Sequence, residues 1–179
     1  MSEGRMVMDA KGMERALNRM AHQILERNRG VEGMVFVGIR ARGDCLGKRL
    51  ASILDKLEGS SENDRLPIGA LDITMYRDDI EDVRHEVRAS DIPGGTISNK
   101  NVILVDDVLY TGRTIRAALD ALMGYGRPKS IQLAVLVDRG HRELPIYADY
   151  AALEIETRRD EEVIVNLAEY GKEDSVLIK

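Results

Sequence analysis

The chain of 179 residues lacks several features that would assign it to particular protein classes. Cys45 is its only cysteine, so no internal disulfide and no cysteine metal cluster can form, and Cys45 is interpreted as a small packing residue. No apolar run approaches a membrane span, and the N-terminal MSEGRMVMDAKG lacks a signal-peptide core. These absences predict a cytoplasmic protein without a membrane association.

Positive charge is not in excess either. The formal net charge of −5 argues against a protein that coats nucleic acid generally. Charge is uneven, however, since residues 14–49 are rich in arginine while the tail after Glu154 is strongly acidic. A local basic face therefore remains compatible with the sequence.

What is present is the composition of an ordinary globular protein, 44% hydrophobic and 32% charged. This length fits one domain over residues 1–179. Apolar periodicity predicts helices at 13–28, 45–57 and 115–123, and strands at 34–39, 71–76, 102–105 and 131–137, with late strands near 163–167 and at 175–178. Alternating helices and strands predict an α/β fold, a central parallel sheet flanked by helices.

The most informative segment is VILVDDVLYTGRT, residues 102–114. A buried strand would hold Asp106 and Asp107 at its carboxyl end, where parallel sheets bind ligands. The following loop, 108–114, offers backbone N–H groups, threonine hydroxyls and a helix N-terminus to a phosphate. Two acids beside a phosphate cradle suit ribose hydroxyls or a divalent cation. The alternative is a helix capped by one of the two aspartates, with Gly112 easing the turn.

These residues resemble the phosphoribosyl pyrophosphate (PRPP) motif of the type I phosphoribosyltransferases. The resemblance implies that Asp106 and Asp107 hold the ribose hydroxyls and contact Mg²⁺ mainly through PRPP, while the loop grips the 5′-phosphate. It also implies that fold, with a small hood from the N- and C-terminal segments and a flexible loop at about 77–95. The PRPP-binding residues implied within the motif are Val105, Asp106, Asp107, Val108, Leu109, Tyr110, Thr111, Gly112, Arg113 and Thr114.

Longer stretches are similar to one branch of that family, the PyrR-type pyrimidine operon regulators with uracil phosphoribosyltransferase activity. They are VGIRARG (37–43), LDITMYRDDI (71–80), DDVLYTGRTIRAALDALM (106–123) and LAVLVDRGHRELP (133–145). The resemblance implies conversion of uracil and PRPP to UMP and pyrophosphate, UMP-responsive binding to an mRNA leader hairpin, and a homodimer or higher oligomer. Two alternatives stay open: a purine phosphoribosyltransferase, and an RNA-binding regulator that senses nucleotide with little catalysis.

Two further segments offer arginines to the same ligand. Arg40, Ala41 and Arg42 follow a buried strand, and two arginines with Gly43 suit a pyrophosphate, although an isolated segment of this kind would be a solvated basic turn. The family implies that they bind pyrophosphate, often through a strained peptide bond, and Arg40 and Arg42 would share catalysis with the two aspartates. Arg77, with Arg84 and Arg88, would close the flexible loop over PRPP and exclude water.

The base and RNA sites depend on later segments. Val137, Asp138 and Arg139 are the candidate uracil contacts, with the alternative that Arg139 pairs with Asp106 or Asp107 in an empty site. The candidate RNA-binding residues are His22, Arg27, His141 and Arg142. Tyr147 and residues 151–156, AALEIE, stand where relatives would be more basic, which predicts a lower RNA affinity and salt slope.

Overall fold

A computed structural model describes residues 4–77 and 89–179, and its centre is a five-stranded parallel sheet. The strands are β2 (Met34–Ile39), β3 (Ile68–Leu71), β4 (Asn101–Leu109), β5 (Ser130–Asp138) and β6 (Tyr150–Glu154), in the order β3-β2-β4-β5-β6. A second, antiparallel sheet, called the small sheet here, joins β1 (Arg5–Met8), β8 (Ser175–Ile178) and β7 (Val163–Asn166) in that order.

Helices cover both faces of the large sheet, as the predicted α/β fold requires. Helices α1 (Ala10–Asn28) and α2 (Arg42–Glu58) pack on one face against Phe36, Ile103 and Val105. Helix α3 (Arg113–Met123) packs on the other face, against Val102 and Leu104. Successive strand residues thus alternate between two cores, which is the pattern of strands buried on both faces.

Local chemistry sets the ends of α1. The Asp9 carboxylate accepts the Gly12 N–H at 2.7 Å, which caps the first turn, so the helix begins at Ala10, earlier than the predicted residue 13. Arg29 ends it in the left-handed conformation, immediately before Gly30, the predicted stop. Met13, Leu17, Met20 and Ile24 lie buried along one side, as their spacing predicts.

Several predicted elements are confirmed and others are corrected. Strands 34–39 and 175–178 have their predicted bounds, and 131–137 lies within β5. The strand predicted at 71–76 is wrong: β3 ends at Leu71, and Thr74–Tyr76 is a 3-10 turn. The cause is the Asp72 carboxylate, which accepts the Thr74 N–H at 2.8 Å and bends the chain.

The segment after this turn lies partly beyond the described residues. Ser90, Asp91 and the turn Pro93–Gly95 return to the sheet, where Asp91 bridges to Ala70. Residues 78–88, including Arg84, His85 and Arg88 of the predicted flexible loop, lie outside the described residues. Within residues 4–77 and 89–179, no helix has the length and apolar character to cross a membrane.

Candidate functional site

Two glycines bring the turn between β2 and α2 against β4. A Cβ on Gly38 would lie 2.3 Å from the Asp44 Cα, and one on Gly43 would lie 2.3 Å from the Val105 carbonyl oxygen. Only residues without a side chain allow this approach. As a result, the segment Arg40–Arg42, called the pyrophosphate loop here, lies beside the carboxylates of β4, and Arg42 Nη1 is 3.5 Å from Asp107 Oδ2.

The pyrophosphate loop is shorter than predicted, because α2 begins at Arg42 rather than near residue 45. The peptide bond between Arg40 and Ala41 is cis. Arg40 Nη2 donates to the Ala89 carbonyl at 3.3 Å, while its buried Nε has no hydrogen-bond partner among the described residues. Ala41 and Arg42 are exposed. The exposed Arg42 guanidinium is therefore accessible to an anionic ligand.

Asp106 and Asp107 form the charged centre of the site. Asp106 is 6% exposed, and its carboxylate accepts the Asp107 N–H at 2.9 Å. Burial raises the pKa of Asp106 well above its usual range, and the neighbouring Asp107 charge raises it further. Burial also raises the pKa of Asp107, an effect that Arg42 partly opposes. Hydroxyl donors or a cation from a ligand would stabilise these carboxylates in their charged form.

The phosphate-binding candidates follow β4 directly, with corrected boundaries. Val108 and Leu109 belong to β4, whereas Arg113 and Thr114 belong to α3, so the connecting loop is only Tyr110 to Gly112. The predicted alternative, an aspartate cap on this helix, is wrong because Gly112 occupies the N-cap, without a capping side chain. Helix N–H groups at this end therefore face the site.

Packing holds that loop in place. The Thr111 carbonyl accepts the N–H groups of Glu143 and Leu144 at 2.9 and 3.2 Å. Gly112 has φ 92°, and a Cβ there would lie 3.3 Å from Ile146 Cβ. The Arg113 guanidinium pairs with Glu143 at 2.8 Å. The segment after β5 thus closes over the loop that begins α3.

The candidate base contacts lie at the end of β5, beside the edge strand β6, which the sequence did not predict. Val137 is fully buried, so only its backbone can reach a ligand. Asp138 forms an ion pair with Arg142. Arg139 donates to Thr157 Oγ1 at 3.1 Å and lies 4.1 Å from the Tyr110 ring centroid. The alternative pairing of Arg139 with Asp106 or Asp107 is therefore wrong.

The four candidate RNA contacts lie along the edge strand β6. Arg27 pairs with Asp149 at 2.8 Å near the start of β6, and exposed His22 lies on the same helix, one turn and a half earlier. His141 and Arg142 lie near the other end of the strand. His141 Nε2 is 2.5 Å from the Thr157 carbonyl oxygen. The Arg142 side chain is 13% exposed and donates to the Ile146 and Tyr110 carbonyls at 2.7 and 2.9 Å. These bonds hold the segment after β5 in place.

Tyr170 contacts the site but was not among the predicted residues. Its hydroxyl donates to the Ala41 carbonyl at 2.8 Å, and its ring centroid lies 5.9 Å from the Arg42 guanidinium carbon. The residue stands in an acidic tail far along the chain from Ala41. A lone tyrosine in a polar segment is the only sequence signal it gives, which is too weak to predict the contact.

Comparison with known proteins identifies the family. Residues 4–171 match the Phosphoribosyl transferase domain. The chain is 53% identical to the Bifunctional protein pyrR of Enterococcus faecalis over 173 residues, covering 96% of this chain and 94% of that protein. It is 50% identical to that of Clostridioides difficile, covering 100% and 99%. The chain belongs to the PyrR family of phosphoribosyltransferases. The resemblance found in the sequence is thereby confirmed.

Solved structures of other phosphoribosyltransferases share the fold. A hypoxanthine phosphoribosyltransferase of Trypanosoma cruzi superposes with a TM-score of 0.73 at 18% identity, covering 99% of this chain and 93% of that one. One from Staphylococcus aureus gives 0.69 at 20% identity, covering 97% and 89%. At this identity the likeness confirms the type I fold alone. The choice of base in a PyrR-family protein must be argued from its own residues.

Proposed function

We propose that this protein is a uracil phosphoribosyltransferase, which joins uracil N1 to C1 of PRPP and releases pyrophosphate. The carrying observation is the juxtaposition of the pyrophosphate loop with Asp107, through the 3.5 Å pair to Arg42. Three adjacent features then match three parts of PRPP. The arginines match the pyrophosphate, the two carboxylates match the ribose hydroxyls, and the start of α3 matches the 5′-phosphate.

In the proposed mechanism, departure of pyrophosphate leads, and positive charge develops on the ribose. Arg40 and Arg42 stabilise the leaving group, while Asp106 and Asp107 orient the ribose and stabilise the cation-like transition state. No covalent nucleophile is assigned, and no histidine is needed if solvent or the released pyrophosphate takes the uracil proton. Arg77, whose charge partly opposes the rise that burial causes in the pKa of Asp106, would bind PRPP beside the two aspartates.

Phosphoribosyltransferases generally use Mg²⁺ with PRPP, and the donor set here fits that use. No group of three or more His, Cys, Asp or Glu side chains that could hold a metal occurs in the described part of the chain. Asp106 and Asp107 would therefore hold the ion together with PRPP oxygens rather than alone. When bound, Mg²⁺ supplies a Lewis acid that neutralises the leaving pyrophosphate.

The end of β5 supports a small base. Arg139 is fixed under the Tyr110 ring by Thr157 and by the Arg158 carbonyl at 2.9 Å, which leaves a rigid wall beside the ribose site. The Arg139 N–H already donates to the Leu109 carbonyl at 3.1 Å, so the carbonyl oxygens of Val137 and Arg139, with this wall, would recognise the N–H groups of uracil. A wrong base would leave those groups unpaired. The small sheet, with β1, β7 and β8, is proposed to be the hood.

Substrate assays test this assignment. UMP formation is measured from uracil, PRPP and Mg²⁺, with hypoxanthine and guanine offered in matched reactions. We expect turnover of uracil alone. Turnover of a purine would identify a purine phosphoribosyltransferase instead, and binding of UMP without turnover of uracil would identify a nucleotide-sensing regulator.

A second role, UMP-responsive RNA binding that attenuates transcription of pyrimidine genes, is favoured by the bifunctional relatives and by the exposed polar side chains of α1. His22 and Arg27 are exposed on the helix that runs beside β6. The test is binding of a pyrimidine-operon leader hairpin, with and without UMP, against a scrambled hairpin. Tighter binding with UMP supports this role, and no binding at low salt contradicts it.

Self-association as a homodimer or higher oligomer is also proposed, and light scattering measures it.

A further inference from the structure

A single arginine fastens the segment after β7 to α2. Arg49 Nε and Nη2 donate to the two Glu169 carboxylate oxygens at 2.9 and 2.6 Å, and its other donors reach Asp174 at 2.6 and 2.9 Å. Asp174 also accepts the Ala168 N–H at 2.8 Å. Bidentate arginine–carboxylate pairs fix geometry as well as charge. This network, called the Arg49 clamp here, therefore sets the position of the 3-10 turn Ala168–Tyr170.

The clamp places Tyr170 over the pyrophosphate loop. The Tyr170 hydroxyl donates to the Ala41 carbonyl at 2.8 Å, and its ring lies against the Arg42 guanidinium at 5.9 Å. Arg42 in turn reaches Asp107 at 3.5 Å. A continuous series of contacts thus runs from Arg49 on α2, through the turn, to the carboxylates of β4.

We propose that Tyr170 is a positioning residue for PRPP, which acts by holding the pyrophosphate loop in its binding conformation. Arg40 is held by its N–H bond to the Leu71 carbonyl at 2.9 Å and by its side-chain bond to the Ala89 carbonyl, whereas Ala41 and Arg42 are exposed and Tyr170 contacts both. A preformed loop binds its ligand without the cost of ordering it. The inference rests on the proposed function in that the bound anion is the pyrophosphate of PRPP.

Tyr170→Phe tests the hydroxyl while keeping the ring. We expect about a fivefold weaker PRPP affinity, the order of one lost hydrogen bond, with a parallel rise in KM for PRPP. KM for uracil should stay unchanged, and the melting temperature should fall by no more than about 4 °C. Binding is measured calorimetrically with PRPP and Mg²⁺, so that the result does not depend on uracil turnover. If the wild type binds PRPP and does not convert uracil, the proposed function fails while the role of Tyr170 is still measured.

Two matched variants complete the experiment. Cys45→Ala removes the thiol that also lies within hydrogen-bonding reach of Tyr170, and it should bind PRPP as the wild type does. Arg49→Met releases the clamp and should weaken PRPP binding at least as much as Tyr170→Phe. Wild-type PRPP affinity in Tyr170→Phe overturns the proposal, whatever Arg49→Met does. An equal rise in KM for both substrates overturns it as well, because that would show a general structural defect.

Discussion

The nucleotide site and the candidate RNA face differ in how far their charged groups are already satisfied. In the nucleotide site, Asp106 and Asp107 are buried beside each other with raised pKa values, and Arg40 has an unpartnered buried nitrogen among the described residues. On the RNA face, Arg27 is paired with Asp149, and Arg142 is held by Asp138 and backbone carbonyls. One region is incomplete without a ligand, and the other is already internally paired.

This difference has an energetic meaning. Unsatisfied buried groups lower the stability of the free protein, so they indicate a site where a bound ligand would pair with them and stabilise the fold. Cations that already have partners must exchange them for phosphates, and they gain less from binding. We therefore expect substitutions in the nucleotide site to change function strongly, and substitutions on the RNA face to change it modestly.

The largest effect should come from the two carboxylates. In Asp106→Asn/Asp107→Asn we expect kcat for UMP formation to fall about 10²- to 10³-fold, because the charge facing the developing cation is lost. Stability should not fall, since neutral amides are cheaper to bury than charges. Asp120→Asn, an exposed acid on α3, is the control and should keep full activity. Near-normal turnover in the double variant would contradict the expectation that substitutions in this site change function more strongly than those on the RNA face.

A somewhat smaller effect is expected from Gly43→Ala. The new Cβ would meet the Val105 carbonyl oxygen at 2.3 Å, so the pyrophosphate loop must shift away from β4. We expect kcat/KM for PRPP to fall roughly 10- to 100-fold, since small misplacements of binding groups are costly. Gly47→Ala, one turn further along α2, meets only ordinary contacts of 3.7 Å and serves as the matched control. Equal activities in the two variants would contradict this reading of the packing.

On the RNA face, Arg27→Ala should weaken leader binding only a few-fold, because the arginine first has to leave Asp149. If Arg27 meets one phosphate, the slope of log affinity against log salt should become shallower by about 0.7 to 0.9. Titrations at several salt concentrations measure this. Arg116→Ala on α3, on the opposite face of the large sheet, should leave both affinity and slope unchanged. A loss of RNA affinity of 100-fold or more would show that substitutions on this face change function as strongly as those in the proposed nucleotide site.

The smallest expected effect is on stability against pH, and its sign differs between two carboxylate pairs. The raised pKa of Asp106 means that its contribution to stability is lost as pH rises from the ordinary carboxyl value of 3.8 through the raised one. Arg49 lowers the pKa values of Glu169 and Asp174, so their contribution is lost as pH falls through the lowered values. Thermal unfolding across pH should therefore show that Asp106→Asn reduces the loss of stability as pH rises above 3.8, and that Arg49→Met reduces the loss of stability as pH falls below the ordinary carboxyl values. If Asp106→Asn instead changed stability at low pH and Arg49→Met at higher pH, both pKa directions would be contradicted.

The sequence predicts the parts of the site that are local in the chain. Met34–Ile39 and the start of the PRPP motif are recognisable because apolar runs are followed directly by charged and small residues. The bounds of the loops are less accurate, since β4 continues through both aspartates to Leu109. Packing between parallel neighbours, rather than residue type, keeps those polar residues in a strand.

The parts that were missed depend on contacts between distant segments. Strand β1, a half-buried RMVM, forms only because β8 pairs with it. The turn at Thr74 depends on one side-chain hydrogen bond from Asp72, which an alternating pattern conceals. The contact of Tyr170 with Ala41 joins a 3-10 turn to the start of α2 across 129 positions of the chain, so no window of the sequence contains it.

The pairing of β1 with β8 also has a consequence for the order of events during synthesis. Arg5 pairs with Ile178, so the small sheet closes only after residue 178 has left the ribosome. The segment with Glu169 and Tyr170 emerges at the same late stage. A nascent chain can therefore assemble its parallel sheet before the contact of Tyr170 with the proposed pyrophosphate loop is made.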